Sequence, residues 1–123
     1  MAAFGQSTST IIDRGHVADL IDAIGIDDFI DIVKTLEHEV DLQICALEAR
    51  SLASEPDNIK KTAHRLAGLM SQFGAFEVAA HAQRVREAHN GDEVNQLAAS
   101  MIGLCRASMA AIADLPLQSM RGS

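Results

Sequence analysis

Only two prolines, Pro56 and Pro116, interrupt this chain, and the long stretch between them is free of that helix breaker. Proline inside a helix removes a backbone hydrogen bond and clashes with the preceding turn, so its spacing limits how far helices can run. Here it leaves room for long ones. Alanine occurs twenty times, Trp and Tyr are absent, and runs of β-branched residues are scarce. That composition favours helix over strand. Glycines at 15, 25, 74 and 91 punctuate the chain, and no repeat of about 20 to 50 residues is apparent.

Apolar periodicity divides the chain into five helices. A short one is expected over about His16 to Ile24. A second starts near Asp27, where acidic residues suit a helix N-terminus, and runs toward Arg50. Its apolar stripe is Phe29, Ile32, Val33, Leu36, Val40 and Leu47. The third follows Ser54 as cap, with Pro56 in its first turn, carries Ile59, Ala63, Leu66, Met70 and Phe73 inward, and stops at Gly74. The fourth covers about Ala75 to His89, with Val78, Ala82 and Val85 inward. "NGD" at 90–92 is expected to form a tight turn, because Asn and Gly tolerate left-handed backbone. The fifth runs from Asp92 toward Leu115 and buries Val94, Leu97, Met101, Leu104 and Ile112. Long helices with short connections predict an all-α fold, an antiparallel four-helix bundle with a short additional N-terminal helix. The bundle is expected over 12–115, between a flexible N-terminal segment at 1–11 and a flexible C-terminal tail at 116–123.

The chain has 123 residues, of which 48% are hydrophobic, enough for one domain with one core. The net charge of −7 argues against nucleic acid as a partner. No apolar run is expected to approach the length of a membrane span, and no membrane partner is expected. The opening "MAAFGQSTST" lacks the basic and then apolar segments of a signal peptide, which points to a cytoplasmic protein. Cys45 and Cys105 are expected to be free thiols in that reducing compartment.

The distribution of charge says more than its sum. Half of the ten Lys and Arg residues fall between 60 and 86: Lys60, Lys61, Arg65, Arg84 and Arg86. They surround "TAHRLAGLMSQFGA", residues 62–75. At about 100° per residue, His64 lies well round from the apolar stripe of the third helix. Its neighbours on that face are Lys60 and Lys61 before it, and Ala67, Gly68 and Ser71 after it. The last three are a methyl, a hydrogen and a hydroxymethyl. A glycine in mid-helix costs about 1 kcal/mol against alanine. A bare backbone one turn beyond the histidine therefore points to close approach by another molecule. A solvated helix face with an inconsequential histidine is the plain alternative.

These residues carry a resemblance. "AHRLAGLMSQFGA" resembles the signature of histidine-containing phosphotransfer (HPt) domains, roughly A-H-x-L-K-G-x-x-x-x-x-G-A, with Ala63, His64, Leu66, Gly68, Gly74 and Ala75 matching in place. "IGIDDFIDIVKTLEHEV" is similar to the helix that precedes the motif in that family, and the stretch from Val78 to Asp92 to the one that follows. The resemblance covers roughly residues 12 to 113.

It implies a four-helix bundle acting as a phosphorelay intermediate in two-component signalling. His64 accepts a phosphoryl group from the phospho-aspartate of a receiver domain and passes it to another receiver. A free imidazole is largely neutral near pH 7 and so is available as a nucleophile. The partners implied are receiver domains of response regulators or hybrid histidine kinases. They bring Mg²⁺ and the aspartate, so no intrinsic cofactor or metal is expected. One position departs from the pattern: Ala67 stands where the family usually has lysine. Lys61, Lys60 and Arg86 are the candidates to support the phosphoryl group in its place. Arg65 points further away. Docking is expected over Ala67, Gly68 and Ser71, joined by exposed parts of the second helix such as Ile30 and Lys34.

Other chemistry finds less support. Di-metal bundles use repeated Glu-x-x-His arrangements, and none of the five histidines has a glutamate three residues before it. Met70, Met101 and Met109 are simplest as core filler. No glycine-rich phosphate loop or ATP-binding signature is present, so a phosphotransfer protein of this kind does not charge itself. A non-catalytic adaptor that binds a receiver or another partner through the same face is the alternative from a different class.

Overall fold

The computed structural model of the chain describes residues 11–52 and 55–122, with side chains placed for 11–51 and 55–115. Residues 1–10 of the expected flexible segment at 1–11, and the expected cap Ser54, lie outside the described residues, while Ile11 packs half-buried against the core. The fold is all-α. Among the described residues five helices follow in order: α1 (Arg14–Ile24), α2 (Ile26–Leu52), α3 (Pro56–Ser71), α4 (Phe76–Glu87) and α5 (Gly91–Gly122). Each packs on the next, α2 closes the ring against α5, and α3 also touches α5 across the middle.

Local chemistry sets the boundaries. α1 begins two residues earlier than periodicity predicts, because the Asp13 carboxylate accepts the His16 N–H at 3.0 Å and caps the first turn. α2 starts with Asp27 and Asp28 and ends with Arg50, matching charge to the helix dipole at both ends. α3 opens on Pro56, with Glu55 in the cap position but making no side-chain cap bond. It ends at Ser71 rather than running to Gly74. The Gly74 N–H donates to the Ser71 carbonyl and the Ala75 N–H to the Met70 carbonyl, both at 3.1 Å. With Gly74 at φ +80°, this pair of bonds is a Schellman stop.

The "NGD" stretch differs from expectation. Asn90 acts as a cap: its Oδ1 accepts the Glu93 N–H at 2.8 Å. The only described glycines with positive φ are Gly25 and Gly74. Gly91 is already helical. At its other end α5 passes the expected stop at Leu115 and continues through Pro116 to Gly122. A proline there forfeits one backbone bond, to the carbonyl four residues earlier, and the helix continues past it.

The core is one cluster drawn from all five helices, with Val17, Phe29, Leu47, Ile59, Leu66, Met70, Val85, Met101 and Ile112 fully or almost fully buried. On α2 the inward series is Phe29, Val33, Leu36, Val40, Ile44 and Leu47. Ile44 joins the expected stripe and Ile32 leaves it, being 43% exposed at the flank facing α3. Gly91–Leu115 is, by length and composition, apolar enough to cross a membrane, contrary to the expectation that no run approached that length. Its Val94, Ala98, Met101, Cys105 and Ile112 are buried against the other helices, as in any bundle whose core helix is rich in small apolar residues.

Candidate functional site

α3 is amphipathic, and the residues it does not bury define the site. Ile59, Ala63, Leu66 and Met70 are fully buried, which leaves His64, Lys61, Arg65 and Gly68 on the exposed side. The His64 side chain makes no hydrogen bond or ion pair with any described residue. Its ring is held only by its place on the helix.

An open groove of about 860 Å³ runs along the seam between α3 and α4 at this point. From α3 it is lined by Lys60, Lys61, His64, Arg65, Ala67, Gly68 and Ser71, and from α4 by Ala79, Ala82, Gln83 and Arg86. Four cations therefore face one cleft, with no carboxylate among its lining residues, in a chain whose net charge is −7. Anions are drawn to such a focus of one sign. Arg84, the fifth cation of the cluster, is not part of the lining.

The cations are not equivalent. Lys60 Nζ donates to the Ala88 carbonyl at 3.0 Å, tying α3 to the last turn of α4 and satisfying a carbonyl left open at that helix end. Lys61, Arg65 and Arg86 have no bond to described residues and are free to meet an anion. Arg65 thus lines the groove after all, despite its expected direction. Gln83 escaped sequence reasoning altogether. It stands beside Arg86 on α4 and donates from Nε2 to Glu87 at 3.1 Å. Its spacing from Ala79 and Arg86 on one face of α4 was the available signal.

The small residues separate into two kinds. A Cβ built on Gly68 would meet nothing within 4 Å, so no internal contact requires glycine there. Ala67 is only 8% exposed and lies at the seam near Ala79 and Ala82, where small side chains let two helices approach closely. Alanine at 67 is accounted for by packing. Ser71 lines the far end of the groove.

Gly74 serves the scaffold. Besides its positive φ, a Cβ there would sit 3.0 Å from the Asp13 carbonyl oxygen, and the Asp13 N–H donates to the Gly74 carbonyl at 2.8 Å. His16 Nε2 adds a bond to the Gln72 carbonyl at 2.9 Å, with its ring edge-on to Phe76 at 5.7 Å. α1 is a clasp on the end of α3.

Of the expected docking residues on α2, Ile30 is half-buried and Lys34 exposed, and neither lines the groove of His64. Each is two positions from Ile32 and so about 160° round the helix from it. It is Ile32 that lies toward α3, in a second groove with Leu36, Leu69 and Phe73. The other histidines stand apart. His38 and His89 are exposed, while His81 is half-buried with Nδ1 unpartnered among the described residues. Among those residues no group of three or more His, Cys, Asp or Glu side chains converges as metal ligands would.

Comparison of this chain with protein-family models, with curated proteins and with solved structures finds no match.

Proposed function

We propose that this protein is a histidine phosphotransfer intermediate, in which His64 takes a phosphoryl group from a receiver-domain aspartyl phosphate and yields it to another receiver. One observation carries the reading: among the described residues an exposed histidine with an unbonded side chain stands among four cations and no carboxylate, and one turn beyond it is a helical glycine at which an added methyl would meet nothing within 4 Å.

In the forward step the unprotonated ring nitrogen of His64 attacks phosphorus. The N–P bond forms, the P–O bond to the aspartate breaks, and the carboxylate leaves with that electron pair. Such a transfer asks chiefly for in-line positioning and charge stabilisation. The helix supplies part of the first by fixing the backbone from which the ring projects, and the docked receiver aligns the rest. Lys61 and Arg86 supply the second from opposite walls of the groove, in place of the lysine that HPt domains carry at the position of Ala67. Lys60 is a support of the scaffold, because its ammonium is engaged by Ala88. Gly68 lets the receiver's acidic pocket, with its Mg²⁺, close over the ring. This chain contributes no metal to the step.

The buried methyl of Ala67 also suits a second reading, an adaptor that binds a receiver without accepting phosphate. Intact mass after incubation with a pre-phosphorylated receiver domain separates the two. The expected result is one added phosphoryl group on wild type and none on His64→Gln, lost in mild acid and kept in mild base. An unmodified wild type that still binds the receiver overturns the transfer reading in favour of the adaptor.

A further inference from the structure

The second groove lies on the other flank of α3, where α2 packs against it. Its volume is about 300 Å³. Ile32 and Leu36 form one wall, an i, i+4 pair on α2, and Leu69 near the end of α3 forms the other with Gln72 and Phe73 of the turn that follows it. The cleft is thus a trough along α2 beside the C-terminal end of α3, and an isoleucine 43% exposed stands at its lip.

Its rim has one sign. Asp31 and Glu39 bracket Ile32 and Leu36, and no cation is among the lining residues. Asp28, exposed and one turn before Ile32, extends the acidic edge. Along a helix, Asp31 and Glu39 are separated by about 12 Å. Of the nearby cations, Lys61, Arg65 and Arg86 face the α4 side, and Lys34, exposed on α2 one turn after Asp31, does not line the trough.

We propose that this trough is a docking site for a basic amphipathic helix of a partner protein. The occupant has apolar residues at i, i+3/4 and i+7 to fill the trough, and Lys or Arg about two turns apart to meet Asp31 and Glu39. A helix fits where a strand does not. The α2 wall and Leu69 belong to helices whose backbone groups are already paired, so an extended segment would find no sheet edge to join. A second copy of this chain is a poor occupant, because it would bring the same carboxylates and a like net charge of −7 to the rim. The inference goes beyond the phosphotransfer reading and does not require His64 to carry phosphate. Gly68 and Leu69 are nevertheless adjacent in sequence and line the two grooves, so one partner can cover both. Such a partner presents cations to the α2 side and an anionic site to the α4 side.

The test uses the full chain and two synthetic helical peptides of about 14 residues, long enough for the two-turn cation spacing. One carries Leu at i, i+3/4 and i+7 with Lys on the flanks, and the other has every Lys replaced by Glu. Methyl NMR titration is expected to shift Ile32, Leu36 and Leu69 with the basic peptide. The acidic peptide is expected to bind at least about tenfold more weakly, because like charges across an interface are strongly disfavoured. A D31K/E39K variant should reverse that preference, and Ile32→Ser should weaken the basic peptide without lowering thermal stability. Equal binding of both peptides, binding of neither, or shifts confined to other surfaces overturns the proposal. So does sedimentation showing self-association that Ile32→Ser abolishes, which would make a second copy the occupant.

Discussion

Gly68 and Gly74 stand in one short motif and answer to different forces. At Gly68 a methyl would meet open space, and alanine is the better helix former. Gly68→Ala is therefore expected to raise stability in urea by about 0.5–1 kcal/mol. In the proposed relay it should slow transfer from a phosphorylated receiver while leaving labelling by phosphoramidate unchanged, since only the bulky donor needs the bare backbone. At Gly74 a methyl meets both a left-handed backbone and the Asp13 carbonyl at 3.0 Å. Gly74→Ala should cost about 1–3 kcal/mol and loosen the α1 clasp, read as faster hydrogen exchange around Val17. A sequence shows two glycines; only the backbone angles and the neighbouring space tell them apart.

At the scale of the element, α3 is held on both flanks and bare on its outer face. Lys60 shows how that works, with a side chain expected to meet phosphate instead closing the C-terminus of α4. Lys60→Met keeps the aliphatic stem and removes the bond. It should destabilise the fold by about 1 kcal/mol while phosphoryl acceptance by His64 changes little. Arg86→Ala should do the reverse, leaving the urea midpoint nearly fixed and slowing acceptance in a stopped assay. Such a pair of outcomes assigns one cation to the scaffold and the other to the site. The Asn90 cap and the stop at Gly74 show the same division within backbone chemistry, since identical residue types serve turns, caps or stops according to the chain around them.

For the whole molecule, a thiol in the buried core sets how stability responds to alkaline pH. Cys105 is fully buried, and burial pushes its thiol up to about 12 from the ordinary 9.0, against a smaller pull downward from Arg106. Between those values the unfolded chain loses the proton that the folded chain keeps. The stabilisation is thus complete below about pH 9 and is lost as pH rises toward 12. Urea midpoints of wild type and Cys105→Ala should converge or cross over that interval, with the variant showing the flatter profile. The exposed Cys45 should react with a thiol reagent at once, and Cys105 only at the rate of global opening.

Much of this was legible in the order of residues. Helical composition, most of each inward series, Gly74 as a stop and His64 on an uncovered face follow from local periodicity, because a helix places residues by spacing alone. On α5, Leu97 and Leu104, expected inward, are half-buried, and Ala98 and Cys105 are buried instead. The resemblance to phosphotransfer domains was legible there too, and it remains a reading for experiment. What spacing could not decide was which flank of each helix meets which neighbour. Ile32 and Val33 are adjacent and equally apolar, yet packing against α3 leaves one at a groove and buries the other. Lys60 and Lys61 are identical in chemistry, and the end of α4 engages only the first. The gathering of Arg86 and Gln83 with His64 comes from the seam between two helices. Periodicity acts within one helix, whereas a groove belongs to two, and only their packing sets its shape and charge.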